Sequence, residues 1–391
     1  MRIDSVLPTI NYPYGGLDNA VFNLAKEISK EHEIRLHTFN TTTEPKSIKI
    51  IPFSQGLPAK EITEHGLTIY RYSFSYFPFF KYLSLSLLKS IRTDSAQILH
   101  INGFQHPLMN ALLCYATSNK KASVLTTHGM QEGLVKISQL PFSKIVSYII
   151  VNVYLKKLDH IIALSETDRQ SLESLGLNAN KISVIPNGID KGKFVNRDHF
   201  VKIDNSYKIL SVGGISRRKR FDDLIKALNI VKDKLDFTAY IVGYIIDENY
   251  FKQLKGLISD FNLDNRVNIC VAATNAQVTD CYLSADSFVL ASDGETSPLV
   301  VMEAMYAGLP VIATRVGGVP DLIKDAYNGY LVDVGEPGQI ADRILSVYEN
   351  NDMRKSFSER NVELAQVFDW EVIAHETTEI YKKIYIARQS K

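Results

Sequence analysis

A chain of 391 residues is too long for one ordinary domain and suits two of nearly equal size. With 45% hydrophobic and 22% charged residues it is neither disordered nor fibrous, and a formal charge of +1 gives no whole-chain signal for nucleic acid. The balance hides an asymmetry: the first 196 residues carry 21 Lys/Arg against 15 Asp/Glu, and from Arg71 to Lys157 ten cations face only Asp94 and Glu132.

The opening M-R-I-D-S-V lacks the apolar core of a signal peptide. After this first strand, P-Y-G-G-L-D-N-A places Gly15 and Gly16 where a backbone could approach a ligand and present its N–H groups, although a plain turn reads the same way. Strands are expected over 34–39, 97–101, 123–127 and 160–163. Residues 70–92 interleave aromatics with cations, a composition suited to a membrane interface or a lipid-linked acceptor. From Lys81 onward the same stretch reads as a helix burying Phe80, Leu83, Leu87 and Ile91. V-L-T-T-H-G-M sets His128 at a strand end before a glycine, placed to reach a ligand or to serve structure alone. The apolar stretch 145–155 is far short of the roughly 20 residues a membrane span needs.

A polar segment broken by Gly and Pro, I-P-N-G-I-D followed by K-G-K-F-V-N-R-D-H-F, marks the domain boundary at 190/191. Beyond it, strands are expected over 208–212, 238–242, 267–271, 287–291 and 310–313, with helices over 221–231 and 299–307. The first of these helices opens with Asp222 and Asp223, favourable against its dipole. Alternating strands and helices predict an α/β fold of two Rossmann-like, doubly wound parallel-sheet domains facing a central cleft. Ligands of such sheets sit beyond the carboxyl ends of the strands, so the chemistry belongs in the loops that follow them.

Two of those loops stand out. In S-F-V-L-A-S-D-G-E-T-S-P-L-V-V-M-E-A a buried strand runs into a polar loop and then a helix, with Ser297 as its expected N-cap and Pro298 in its first position. Unpaired N–H groups at Thr296, Ser297, Leu299 and Val300 suit a phosphate. Glu295 in the loop and Glu303 on the helix, seven residues apart in between, can accept hydrogen bonds from sugar hydroxyls; solvated surface glutamates are the plainer alternative. In K-I-L-S-V-G-G-I-S-R-R-K-R-F-D-D a strand ends at Gly213–Gly214 and four cations follow, Arg217, Arg218, Lys219 and Arg220. Cations and backbone amides there could neutralise a departing diphosphate, where an ordinary solvated turn would do nothing.

Together these residues resemble glycosyltransferase family 4, the retaining GT-B transferases of group 1, over nearly the whole chain. The likeness includes the G-G loop, H-G at His128, A-L-S-E at 163–166, V-I-P-N-G-I-D at 184–190, the basic loop, the E-x7-E pair, G-L-P-V-I-A-T with V-G-G-V-P-D-L-I, and F-D-W-E at 368–371. The resemblance implies an N-terminal acceptor-side domain of 1–190 on which a last helix, 372–391, packs back, and a nucleotide-sugar domain of 191–371. It implies Glu295 on the hydroxyls of the donor sugar, Glu303 on the ribose, and Lys219 on the diphosphate with the amides of 296–300. Gly16 would add an amide, His128 would approach the sugar, and Asn187–Gly188 would serve as hinge. The reaction implied is a front-face, metal-independent hexosyl transfer with retention, in which the departing phosphate oxygen helps deprotonate the acceptor hydroxyl.

Three positions depart from the family's pattern. Gly214 stands where an arginine is common, leaving Arg217 or Arg218 to supply that charge; Asp18 replaces a glutamate; and Thr296–Ser297 replace the usual Gly-Phe or Gly-Thr.

No cofactor is expected, since the nucleotide sugar is itself a substrate; the expected acceptor is a glycan or lipid-linked saccharide of cell-surface polysaccharide synthesis. Cys114, Cys270 and Cys281 have neither metal-ligand nor disulfide spacing, so a cytoplasmic home is expected, with peripheral contact to an anionic inner membrane face. A sugar-nucleotide epimerase of the same fold and a non-catalytic nucleotide-sugar-binding partner are the competing readings. A nicotinamide dehydrogenase is disfavoured because no G-x-G-x-x-G follows the first strand, and nucleic-acid binding has no motif behind it.

Overall fold

A computed structural model describes residues 1–7, 16–39, 59–62, 66–77, 81–103, 107–118, 120–129, 148, 150–194 and 206–390. Gly15, Phe80 and Met130 lie outside the described residues. The chain divides into two units, 1–187 with 370–391, and 188–369. It therefore crosses between them at Asn187/Gly188 and Asp369/Trp370, where the sequence reading put 190/191 and 371/372.

In the first unit the strands are β1 (Arg2–Val6), β2 (Glu33–Phe39), β3 (Ala59–Ile62), β4 (Thr68–Tyr72), the pair β5 (Ser75–Phe77) and β6 (Lys81–Leu83), β7 (Ile98–Asn102), β8 (Ala122–Thr126), β9 (His160–Ala163) and β10 (Ile182–Val184). Eight of them form one sheet in the order β10-β9-β8-β7-β1-β2-β4-β3, parallel except for β3. β7 and β8 are buried along their whole length, on both faces of the sheet, with His100, Asn102, Ser123 and Thr126 among the buried residues. One face carries the helices Leu85–Thr93 and Pro107–Thr117 over Leu87, Ile91, Leu99, Met109 and Leu113. The C-terminal helix Trp370–Gln389 packs against Gly16–Ile28 and β8.

The helix expected from Lys81 begins later. Residues 81–83 pair antiparallel with 75–77, so Leu83 sits in a strand, and Ser84 caps the helix by accepting from the Leu87 amide at 3.2 Å. Leu87 and Ile91 are fully buried on it, as the periodicity predicted.

The second unit holds β11 (Tyr207–Val212), β12 (Phe237–Gly243), β13 (Val267–Val271), β14 (Ser287–Leu290), β15 (Val311–Thr314) and β16 (Gly329–Val332). All are parallel, in the order β13-β12-β11-β14-β15-β16. The order reverses between β11 and β14, so the crevice that binds ligands in such sheets opens between the loops after those two strands. These are the basic loop and the Glu295 loop. Helices Phe221–Val231, Glu248–Asp260 and Pro337–Glu349 cover one face around Leu228, Leu254 and Ile344. Leu299–Tyr306 covers the other with Met302 and Met305.

Beneath β1 lies a buried ionic cluster that the sequence reading did not anticipate. Asp4 is fully buried and accepts from Arg35 at 2.6 Å, from Lys121 at 2.5 Å and from His37 at 3.1 Å, while Arg35 also pairs with Asp94. Burial pushes the Asp4 carboxyl up, but hydrogen bonds and charge from His37 and Lys121 outweigh it and bring it down to about 2. A carboxylate depressed from 3.8 to about 2 adds stability above its unfolded pKa and loses it as pH falls through the folded value. The wild type should therefore lose about 2.5 kcal/mol from this site between about pH 5 and pH 1. Asp4→Asn, which leaves the buried Lys121 only Asp94 at 3.5 Å as counter-ion, should cost about 3 kcal/mol at pH 7 and flatten that acid limb. Urea unfolding at pH 7, 4 and 3 checks both; parallel acid limbs in the two proteins would refute the assignment.

Candidate active site

The polar loop after β14 is held from both sides. Thr314, closing β15, donates its hydroxyl to the Ser292 carbonyl at 2.5 Å. The Gly318 amide donates to the Glu295 carbonyl at 3.1 Å. Gly317 lies at φ +47°, and a Cβ there would stand 1.6 Å from the Glu295 carbonyl oxygen, so only glycine lets the two backbones pass. The basic loop joins on the other flank, where the Asp293 amide donates to the Arg218 carbonyl at 3.0 Å and Arg218 donates back to the Gly294 carbonyl at 2.5 Å.

This framework brings two residues singled out in the sequence, one from each loop, into contact. Lys219 Nζ lies 2.5 Å from Glu295 Oε1, which also accepts from the Ser292 hydroxyl at 2.7 Å. Both side chains are mostly covered, 12% and 8% exposed, so their charges meet in a medium where they count for more than at a surface. The aliphatic stem of Lys219 crosses Gly213, where a Cβ would come within 3.0 Å of Cε. Gly213 in turn lies so close to Gly243 that a Cβ on the latter would fall 1.9 Å from the Gly213 carbonyl oxygen.

The remaining cations separate. Arg218 reaches to 3.8 Å from Glu295 Oε2. Arg217 turns the other way, 5.6 Å from the Tyr250 ring centre and 3.6 Å from Asp247. Arg220, in the left-handed region at φ +45°, pairs with Asp223 at 2.6 Å. Of the two candidates to replace the family's arginine, Arg218 is therefore the one beside Glu295. At Gly214 itself, a Cβ would lie 2.5 Å from Ile246 Cδ1; the isoleucine fills the space that a longer side chain would need.

The helix after the loop runs Leu299–Tyr306, within the expected 299–307. Pro298 is its N-cap rather than its first residue, because its ψ of 103° is extended; the buried Ser297 precedes the cap. The first intrahelical bonds run from Val301 and Met302 to the Pro298 carbonyl, so the amides of Leu299 and Val300 precede them. Thr296 is half-buried in the loop. Glu303 sits on this helix with its carboxyl 20% exposed and 3.8 Å from Lys193. Burial raises its pKa, with the Lys193 charge and the Tyr282 hydroxyl opposing and Asp190 reinforcing.

In the first unit Gly16 opens the helix Gly16–Ile28 with free space around its Cα, and Asp18 is buried in that first turn. His128 follows β8 with φ +39°, a left-handed conformation uncommon for any residue but glycine. Burial lowers its pKa to about 4, which keeps the imidazole neutral at pH 7. It lines a small cavity of about 20 Å³ with Asn102, Thr126, Asn187, Trp370 and Thr377. Behind it Tyr381 and Thr126 hold His100 at 2.6 and 2.7 Å. Ser292, Gly243, Gly317 and His100 were not assigned from sequence; their roles arise from contacts between distant segments, and only the V-G-G of 316–318 offered a local sign.

With this geometry in place, likeness to known proteins can be weighed. Residues 193–363 match the family of group 1 glycosyl transferases, and residues 14–193 match Glycosyltransferase Family 4. The chain belongs to glycosyltransferase family 4, group 1. Among relatives, it is 26% identical to an uncharacterized glycosyltransferase of Methanocaldococcus jannaschii, covering 97% of this chain and 98% of that one. It is 25% identical to the N-acetyl-alpha-D-glucosaminyl L-malate synthase of Bacillus anthracis, over 89% of each. Among solved structures, Anabaena HepE in complex with UDP and glucose superposes with a TM-score of 0.78 at 20% identity, covering 98% of this chain and all of that one. That likeness shows the fold, which is GT-B.

The closeness of Gly317 to Glu295 makes a direct prediction for this glycosyltransferase. Gly317→Ala should push the Glu295 loop out of place, lowering the melting temperature by several degrees and weakening nucleotide binding by about fivefold or more, since strain of about 1–3 kcal/mol is typical of such a site. Scanning calorimetry with a nucleotide titration measures both. Unchanged values would mean that the loop has another way to pass.

Proposed function

We propose that this family 4 enzyme transfers a hexosyl group from a UDP-sugar to an acceptor hydroxyl with retention at the anomeric carbon. The observation that carries the reading is the Lys219–Glu295 contact at the strand-order reversal beside a helix N-terminus. Glu295 accepts hydroxyls of the donor sugar, and Lys219 stands next to it where the diphosphate leaves. As the glycosidic bond breaks, negative charge grows on the diphosphate. Lys219, Arg218 and the N–H groups of Thr296, Ser297, Leu299 and Val300 stabilise it in this reading, so catalysis is mostly electrostatic. Retention is argued from the family resemblance, as a front-face displacement. UDP is chosen as the nucleotide because HepE is found with UDP and glucose.

A thermal-shift screen tests the donor. UDP-sugars, but not GDP-, ADP- or dTDP-sugars, should stabilise the protein, and EDTA should leave the shift unchanged. A shift with another base would replace UDP, and loss of the shift in EDTA would make the site metal-dependent. Lys219→Ala should lower turnover on the order of 10²–10³-fold; near-normal turnover would remove lysine from the mechanism.

The acceptor belongs to the first unit in this reading, and a glycan or lipid-linked saccharide fits its surface. Leu85, Tyr115, Tyr148 and Val153 are exposed there, with Lys89, Arg92, Lys120, Lys156 and Lys157 in the same segments. No helix among the described residues is long and apolar enough to cross a membrane. Peripheral contact with an anionic bilayer accounts for an apolar and basic surface of this kind. Sedimentation with vesicles containing phosphatidylglycerol should retain the protein at low salt and release it at high salt; recovery in the supernatant at both would exclude the contact.

A further inference from the structure

We infer that Lys193 is a positioning residue of the donor site, set against Glu303 so that this carboxylate stays ionised and accepts both vicinal hydroxyls of the nucleotide ribose. The inference rests on the reading of Glu303 as the ribose ligand.

Lys193 belongs to a segment that the sequence presents as a linker, yet the structure fastens that segment to the Glu303 helix. Ile189 bridges Asp369, and Lys191 reaches the Asp369 carboxylate at 3.1 Å and the Gln366 carbonyl at 3.0 Å. Phe194 is buried between Tyr282 and Tyr306, its ring 6.2 and 5.3 Å from theirs, the second contact edge-on. With its neighbours on either side anchored in this way, the chain delivers the Lys193 ammonium to 3.8 Å from Glu303 Oε1. Neither side chain is sealed off, Lys193 being 32% and Glu303 20% exposed, so a ligand can reach the pair.

The chemistry follows from counting donors and acceptors. An ionised carboxylate is purely an acceptor, with about four lone-pair positions on two oxygens. One ammonium hydrogen and two ribose hydroxyls fit on it together. A protonated carboxyl has an O–H of its own and loses part of that capacity. The titratable groups that face Glu303 are Lys193 and Asp190 from the crossing segment and Tyr282 from the helix Asn275–Ser284. Burial and Asp190 favour the protonated form, and Lys193 is the only cation among these three groups to oppose them. Without Lys193, Glu303 would take up a proton at a higher pH, and binding a ribonucleotide would have to expel it. Affinity would then fall as pH falls and recover as pH rises.

The test compares the wild type, Lys193→Met and Lys193→Arg by calorimetric titration with UDP and with 2′,3′-dideoxy-UDP between pH 6 and pH 8.5. The expected result is UDP binding measurably weaker in Lys193→Met than in the wild type at pH 6. The deficit should shrink toward pH 8.5 and be repaired by Lys193→Arg, with binding of the dideoxy analogue alike in all three proteins. If Lys193→Met binds UDP as the wild type does at every pH, while the wild type still prefers UDP to its dideoxy analogue, the inference falls and the ribose role of Glu303 stands. Equal loss of both nucleotides would assign Lys193 to the phosphates and overturn it. A wild type indifferent to the ribose hydroxyls, or one that binds neither nucleotide, would overturn the reading of the site together with this inference.

Discussion

Where β11 and β12 end, the carbonyl oxygen of Gly213 occupies nearly the point at which Gly243 would carry a side chain, and the carbonyl of Glu295 stands in the same relation to Gly317. Both are contacts of backbone on backbone, which no rotamer change can relieve. They draw the loops after β11, β12, β14 and β15 together at the strand ends. The Lys219–Glu295 contact, the Ser292 hydroxyl beneath it and the tie between Asp293 and Arg218 all depend on that approach. Charged side chains at the site are thus placed by residues that have no side chain at all.

This explains what could be read from the sequence and what could not. Glu295, Glu303 and Lys219 could be singled out because they lie in the loops, or on the helix, that follow buried strands, and strand order then brings the loops after β11 and β14 together. The order itself was not legible, nor was any contact between segments far apart in the chain. Gly317 looked like one member of a glycine pair, and Ser292 like an ordinary loop serine. The replacement of the family's arginine could be narrowed to two residues from sequence, but only the directions of Arg217 and Arg218 separate them.

The first unit shows a different limit. In the run from Tyr70 to Arg92 aromatic residues satisfy helical and strand periods alike, so β6, the partner of β5, was hidden at the start of an apparent helix. The local signal that settles the start, Ser84 before an apolar repeat, was present all along. The Asp4 cluster was hidden for another reason: its members lie at positions 4, 35, 37, 94 and 121, and nothing in their neighbours marks them as partners.

The division of the chain has a consequence for its synthesis. The second unit is one continuous stretch, and its two ends are bridged through Ile189 and Asp369. The first unit is interrupted: its buried His100 waits for Tyr381, and Asp159 near the start of β9 waits for Arg388, both on the last helix. As the chain emerges from the ribosome, the half that begins first is therefore finished last. Until then it must hold an incomplete sheet face while an entire second domain folds behind it, and this is the stage at which chains of this design are most open to misassembly and to proteolysis.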